Sequence, residues 1–296
     1  MKRIAAFGEI LFDIYTNSMN LGGAPLNFIY HINKLTGDGK IISRVGDDLL
    51  GREALDFLAS KGITTDAIQS DREHKTGKAV ISLNEKGVPA FKIEQNCAYD
   101  FIDINENTGF TLIKDTGCLY FGTLAQRNEV SRRSLRSLFN KPIKYFCDVN
   151  IRQNYYTKEI LSESLNQSDV LKLNIDELKL LNDLFINGQF EINDTSKKLM
   201  DMYNIEMLAV TKGTDGSALF MSDDFNEYRP TQSNVVDTVG AGDAFASILC
   251  LGYLHNWELI KINELANEFA GLICMIDGAL PKDDNIYTRF KQEFQN

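Results

Sequence analysis

The chain has 296 residues, 44% of them hydrophobic, which is enough for a sizeable core in one large α/β domain or two smaller ones. Against 31 Lys and Arg stand 41 Asp and Glu, and the resulting net charge of −10 argues against a nucleic-acid partner. Cys97, Cys118, Cys147, Cys250 and Cys274 are scattered with no C-x-x-C pair, and the three histidines lack metal-ligand spacing, so the expectation is reduced buried thiols in a cytoplasmic protein rather than disulfides or zinc.

Residues 2–7 read as a first buried strand. Lys2-Arg3 ahead of Ile4 to Phe7 imitates the start of a secretory leader, but Gly8-Glu9 interrupts the apolar run and Asp13 follows, so no leader core or cleavage site is expected. No stretch is long and apolar enough to span a membrane. The chain stays extended to Tyr15. Within this apolar run Asp13 is either salt-bridged or turn-capping, or it accepts hydrogen bonds from substrate hydroxyls.

Leu21-Gly22-Gly23-Ala24-Pro25-Leu26-Asn27 then leads into an amphipathic segment, Phe28 to Leu35. The double glycine lets backbone approach a ligand closely, Pro25 suits a helix start, and Asn27 offers both donors and acceptors. Taken alone, Gly22-Gly23 is explained by a loop. Ile41 to Val45 reads as a strand, and Gly46 to Gly51 turns into a helix ending near Gly62, with turn and cap chemistry as its role. Thr76 to Leu83 and Val88 to Ile93 read as a hairpin around a turn at Asn84 to Gly87.

Beyond about residue 110, strands alternate with helices. Strands are expected at Cys118–Phe121, Tyr145–Val149, Val170–Leu173, Met207–Thr211 and Ser217–Met221. Helices are expected at Arg132–Phe139, Thr157–Leu165, Ile175–Phe185, Thr195–Tyr203, Ala244–Leu254 and Ile262–Ile276. The β-then-α order predicts an α/β fold with a mostly parallel sheet and helices on both faces. No linker, low-complexity tract or internal repeat divides the chain.

Asp148-Val149-Asn150-Ile151-Arg152 leaves a strand end, the ligand edge of an open α/β sheet. A turn accounts for it; the functional reading puts Asn150 and Arg152 on substrate phosphate oxygens, which a guanidinium binds bidentately. Asn174-Ile175-Asp176-Glu177 has the spacing of a capping box. Thr211-Lys212-Gly213-Thr214-Asp215-Gly216 reads as a turn after a strand.

Asp237-Thr238-Val239-Gly240-Ala241-Gly242-Asp243 organises the rest. Its glycines fall where a loop enters a helix, so backbone N–H groups and the positive end of the helix dipole converge there and bind an anion without a lysine. A small-residue turn with Asp243 as helix cap is the bland alternative. A carboxylate beside a phosphate cradle suits a general base that takes a proton from an attacking hydroxyl.

D-T-V-G-A-G-D at the C-terminal side and G-G-A-P-x-N at the N-terminal side resemble the two signatures of the ribokinase-like (PfkB) carbohydrate kinases. The resemblance spans nearly the whole chain. G-E-I-L-F-D-I-Y, G-G-A-P-L-N-F-I-Y-H, F-G-T-L-A-Q-R and A-Y-D-F-I are shared with the fructokinase branch, and D-x-N-x-R with fructokinases and 2-keto-3-deoxygluconate kinases. Tyr99 departs from a common Trp, and Ile248 from a small residue.

The resemblance implies one ribokinase-like α/β domain over residues 1–296, with a small β lid from segments about 11–22 and 75–102 closing over the sugar. It implies ATP as donor, with Asp243 as base and Gly240, Ala241 and Gly242 stabilising the transferred group. Asp13, Gly22, Gly23 and Asn27 would hold the sugar, and Asn174 and Glu177 would organise Mg²⁺ through water. Thr211, Gly213, Gly216 and Asn267 would line the nucleotide, and Asp237 with the Gly278-Ala279 loop would hold a monovalent cation such as K⁺. Lid-to-lid homodimers occur in the family.

No G-x-x-x-x-G-K-[ST] is present, and no G-x-G-x-x-G follows the first strand, so P-loop and dinucleotide-binding readings have no support. The expected activity is transfer of the γ-phosphoryl group of ATP to a hexose hydroxyl, fructose foremost. The rivals are a kinase for 2-keto-3-deoxygluconate or another sugar, and a sugar sensor without catalysis.

Overall fold

The computed structural model describes residues 2–16, 18–83, 89–222, 224–230 and 235–294. In chain order it forms β1 (Arg3–Phe7), β2 (Leu11–Ile14), β3 (Met19–Gly22), α1 (Ala24–Thr36), β4 (Gly39–Gly46), α2 (Leu49–Ser60), β5 (Ile68–Asp71), β6 (Gly77–Leu83), β7 (Pro89–Ile93), α3 (Glu106–Ile113), β8 (Thr116–Phe121) and α4 (Glu129–Leu138). There follow β9 (Lys144–Asp148), α5 (Lys158–Gln167), β10 (Val170–Asn174), α6 (Ile175–Leu181), α7 (Ile192–Tyr203), β11 (Met207–Thr211), β12 (Ser217–Met221), β13 (Asp224–Tyr228), α8 (Ala241–Leu254), α9 (Leu259–Ile273) and α10 (Asn285–Glu293).

The large sheet runs β13-β12-β11-β10-β9-β8-β1-β4-β5. From β11 to β5 all neighbours are parallel; β12 and β13 extend it antiparallel. Strands such as Ile4-Ala5-Ala6-Phe7 and Met207-Leu208-Ala209-Val210 are buried along their whole length, because helices cover both faces. Phe28, Phe245, Ile248 and Phe269 belong to the core under α1, α8, α9 and α10. Leu135, Leu161, Leu178 and Leu199 belong to the opposite core under α4 to α7. The departure at Ile248 is absorbed there, since the side chain is wholly buried.

A second sheet, β3-β2-β6-β7, stands apart from the first. β2 pairs with β3 antiparallel and with β6 parallel, and β6 pairs with β7 antiparallel from Ala79↔Ile93 to Leu83↔Pro89. The expected turn at Asn84 to Gly87, with Val88, lies outside the described residues.

β3, β5, α3, β13 and α10 were not expected. Met19-Asn20-Leu21-Gly22, Ile68-Gln69-Ser70-Asp71 and Asp224-Phe225-Asn226-Glu227-Tyr228 are short, polar and at sheet edges, so they carry little apolar alternation. The expected single helix from Ile175 to Phe185 stops at Leu181 and continues as a π-helical turn, Asn182–Ile186, ended by Asn187 in the left-handed region. Among the described residues no helix is long and apolar enough to cross a membrane.

Candidate active site

A cavity of about 540 Å³ opens where the small sheet faces the C-terminal edge of the large one. Leu11 and Asp13 of β2, Ala79 of β6 and Ile93 of β7 form its lid side. Gly23 and Asn27 come from the start of α1, Asn150 and Arg152 from the loop after β9, and Gly240, Gly242 and Asp243 from the start of α8. Ligand sites of open α/β sheets form at this edge because every strand there ends in a loop free to carry function.

The turn into α8 is built for a bare helix end. Gly240 is the N-cap residue at φ 78 and no side chain caps the helix. A Cβ at Gly240 would fall 2.4 Å from the Ala279 Cβ, so only glycine fits. Asp243 is therefore not the helix cap that its position in the first turn suggested. Its Oδ2 instead accepts a hydrogen bond from Asn27 Nδ2 at 2.8 Å, across a sequence separation of 216 residues. From Ala244 to Gly252 α8 is wholly buried, which holds this turn rigidly.

The turn into α1 repeats the device. Gly23 is its N-cap residue at φ 114, again without a side-chain cap, and Pro25 follows in the first turn. A Cβ at Gly22 would lie 3.1 Å from Asp13 Oδ2 and 3.9 Å from Asn27 Oδ1. Gly22, Asp13 and Asn27 thus come together. Asn27 Oδ1 is buried without a hydrogen-bond partner among the described residues, an acceptor turned toward the same small space.

Burial and the charge of Asp148 push the Asp243 carboxyl up to about 6, while Asn27, Lys172 and Arg152 pull the other way. Burial also lifts Asp13 to about 6, opposed by Arg152 and assisted by Asp237. Arg152 is exposed in the cavity, and its guanidinium makes no hydrogen bond or ion pair with another described residue; its charge is felt by Glu9, Asp13 and Asp243.

Two further groups reach the cavity without a spacing that marks them as functional. Glu9, just past β1, is only 4% exposed, and burial raises its carboxyl to about 7. Lys172, near the end of β10, donates to both oxygens of Asp148 at 3.0 and 2.8 Å, and Asp148 Oδ2 also accepts from the Tyr120 hydroxyl at 3.1 Å. Burial disfavours the Lys172 charge, but Asp148, Glu177 and Asp243 outweigh it and the pKa is raised. The ammonium would lie 3.5 Å from a Cβ at Gly242, directly beneath the anion turn.

Asn174 and Glu177 form the expected capping box: Asn174 Oδ1 accepts from Glu177 N at 2.9 Å, and Glu177 Oε2 from Asn174 N at 2.8 Å. Glu177 Oε1 accepts from Ile151 N at 2.7 Å and so fixes the loop carrying Asn150 and Arg152. With both oxygens so engaged, these residues fit a magnesium ion held chiefly by nucleotide phosphates and met by the protein through water. Among the described residues no cluster of three or more His, Cys, Asp or Glu would hold a metal by itself.

Asp237 ties two loops together, accepting from Val239 N and from Gly278 N, each at 3.1 Å. Thr211, Gly213, Gly216 and Asn267 do not line the cavity. Gly216 (φ 87) would place a Cβ 2.0 Å from the Tyr228 carbonyl oxygen, so packing alone demands glycine there. The Asn267 amide donates to Ser217 Oγ, Asn263 O and Asn263 Oδ1.

Residues 2–283 match the family model of the pfkB carbohydrate kinases. A protein of Escherichia coli named fructokinase is 28% identical, covering 88% of this chain and 87% of its own. The structure of a fructokinase double mutant from Vibrio cholerae, with fructose, ADP and potassium ion bound, aligns with a TM-score of 0.80 at 19% identity, over 100% of this chain and 99% of that one. The 2-dehydro-3-deoxygluconokinase of Thermotoga maritima aligns with a TM-score of 0.82 at 18% identity, over 99% and 100%. At these identities the two structures share the ribokinase-like fold.

Proposed function

The chain belongs to the pfkB family of carbohydrate kinases, and on that premise we propose that it transfers the γ-phosphoryl group of ATP to a hydroxyl of a neutral hexose, fructose foremost. The observation that carries this reading is the hydrogen bond from Asn27 to Asp243 inside one cavity. It brings the polar turn that suits sugar hydroxyls to the uncapped helix end that suits phosphate.

In this reading Asp13, Gly22, Gly23 and Asn27 orient the sugar, the acceptor atom of Asn27 receiving a hydroxyl proton that none of the described residues supplies. Asp243 takes the proton from the attacking hydroxyl; a pKa of about 6 leaves it ionised at neutral pH and ready to accept. The N–H groups of Gly240, Ala241, Gly242 and Asp243, with the α8 dipole, stabilise charge on the transferred group. Arg152 and Asn150 reach phosphate oxygens from the facing loop. Magnesium, bound by the phosphates and met through water by Asn174 and Glu177, neutralises the nucleotide's charge.

Thr211, Gly213, Gly216 and Asn267 belong in this reading to the nucleotide side, beyond the cavity. Asp237 and the Gly278-Ala279 loop hold a potassium ion next to the anion turn, as the Vibrio cholerae structure with its bound potassium suggests. The lid is the small sheet, within segments of about 11–22 and 75–102, and its open edges offer a homodimer contact.

A kinase for 2-keto-3-deoxygluconate is the second reading. The Arg152 guanidinium, exposed in the cavity and without a partner among the described residues, suits a substrate carboxylate. Asp13 and Glu9 at the sugar end oppose it by like charge. A panel of sugars and sugar acids with Mg²⁺-ATP, read by ADP release, tests both. Fructose with the highest kcat/KM is the expected result, and a sugar acid in that place overturns it.

A further inference from the structure

The first turn of α1 has an unexplained feature. It carries Asn27, yet no side chain caps it and no acidic residue lies in it. Pro25 has no N–H, so the N–H groups of Gly23, Ala24 and Leu26 are the three at this end that need partners, and a carboxylate is the most favourable one.

Glu9 comes from another element and lies against this end. A Cβ on Gly23 would meet the Glu9 carbonyl oxygen at 2.5 Å and its Cγ at 3.3 Å, so the missing side chain of Gly23 is what admits Glu9. One residue earlier, Gly8 (φ 146) would place a Cβ 2.7 Å from Pro25 Cγ. The end of β1 and the start of α1 therefore nest through two glycines. The backbone N–H groups of Glu9 itself and of Ala24 favour the ionised Glu9 carboxyl, against the burial that opposes it. Asn27 closes the same turn, its N–H donating to the Gly23 carbonyl oxygen at 2.9 Å, and then grips Asp243.

We propose that Glu9 is a positioning residue, whose carboxyl caps α1 from outside the helix and so holds Gly23 and Asn27 where the acceptor sugar binds. Contacts run without a break from Glu9 through Gly23 and Ala24 to Asn27 and Asp243. The inference rests on the sugar-kinase reading of this cavity.

An apolar side chain would fill the same space without the expense of a buried charge. Burial raises Glu9 to about 7, with Asp243 adding to the shift and Arg152 opposing it. The Tyr99 and Tyr120 phenols also feel the Glu9 carboxyl. Only the ionised form caps with full strength, so capping strengthens as pH rises through about 7. Stability runs the other way: a carboxyl with a raised folded-state pKa contributes stability at low pH and loses it as pH rises from its ordinary value through about 7.

The test compares wild type, Glu9→Gln and Glu9→Ala on whichever sugar wild type phosphorylates fastest, from pH 6 to 8.5. Glu9→Ala is expected to raise the sugar KM by roughly tenfold, with the ATP KM and kcat changed by about twofold or less. Wild-type sugar KM is expected to fall as pH rises through about 7, and Glu9→Gln to lose that dependence. The limb of kcat near pH 6, which belongs to Asp243, stays in all three.

Glu9→Gln is also expected to lose the wild type's decline in thermal midpoint over the same range. Should Glu9→Ala not fold, Glu9→Gln carries the test, being of the same shape. Variants with wild-type sugar KM and pH dependence overturn the proposal, as does an equal loss for sugar and ATP. Failure of the fructose reading shows instead in the wild-type protein alone, as another preferred sugar.

Discussion

Two helices begin at the cavity, and they begin in nearly the same way. Both α1 and α8 have a glycine N-cap at positive φ and no side-chain cap. Their surroundings differ. Gly23 is pressed against the backbone carbonyl and Cγ of Glu9, an acid just past β1, whereas Gly240 is pressed against Ala279, an apolar loop residue. In the proposed reading, one positive helix end is met by a protein acid and faces neutral hydroxyls, and the other keeps its N–H groups for an anion. On that proposal, acceptor and donor take opposite sides of one space, with the Asn27–Asp243 hydrogen bond as the junction.

Removing the proposed base at the junction is expected to have the largest effect. Asp243→Asn should lower kcat by roughly 10²–10⁴-fold while sugar KM stays within a few-fold, measured by steady-state kinetics. Retained kcat would remove Asp243 from the chemistry and leave the two helix ends without a shared task.

The matched pair Gly240→Ala and Gly23→Ala tests the division itself. Each forces a side chain into a positive-φ position already filled by a neighbour, a strain of about 1–3 kcal/mol. Gly240→Ala is expected to raise the ATP KM by about ten- to a hundredfold and spare the sugar KM; Gly23→Ala is expected to do the reverse. Equal effects of both variants on both substrates would break the comparison.

The pH dependence is gentler. With Asp243 near 6, kcat should fall about tenfold per pH unit below that value as the base takes up its proton, and level off above it. The smallest change is expected from Asp237→Asn, which keeps an acceptor for one of the two N–H groups it serves. It should cost less than about tenfold in kcat/KM, and it should abolish any rate difference between potassium and sodium chloride.

The two ends were not equally legible in the sequence. Gly240 to Asp243 stands out because glycines, a following apolar helix and a nearby carboxylate are adjacent in the chain. Gly22 to Asn27 is legible for the same reason. Asp243 as a cap was a fair inference from its place in the first turn, but Asn27 competes for its carboxylate and wins. Glu9 looked like an interruption of an apolar run, and Lys172 lay within the expected strand Val170–Leu173 with nothing to single it out. Neither has a local partner that would mark it: Glu9 meets Gly23 and Ala24, and Lys172 meets Asp148. The edge strands β3, β5 and β13 were missed because four or five polar residues acquire strand geometry only from their neighbours.

What the sequence determined by itself was the set of parts: apolar strands alternating with helices, two glycine turns that only glycine can make, and the acid that follows the second. These depend on backbone sterics and apolar periodicity, which act over a few residues. Only the tertiary structure decided which turn receives a protein carboxylate, which stays bare, and that Asn27 meets Asp243 over 216 residues of chain. Such contacts are made by the parallel sheet, which gathers the ends of β1, β9 and β10 at one edge, and no local pattern encodes that neighbourhood.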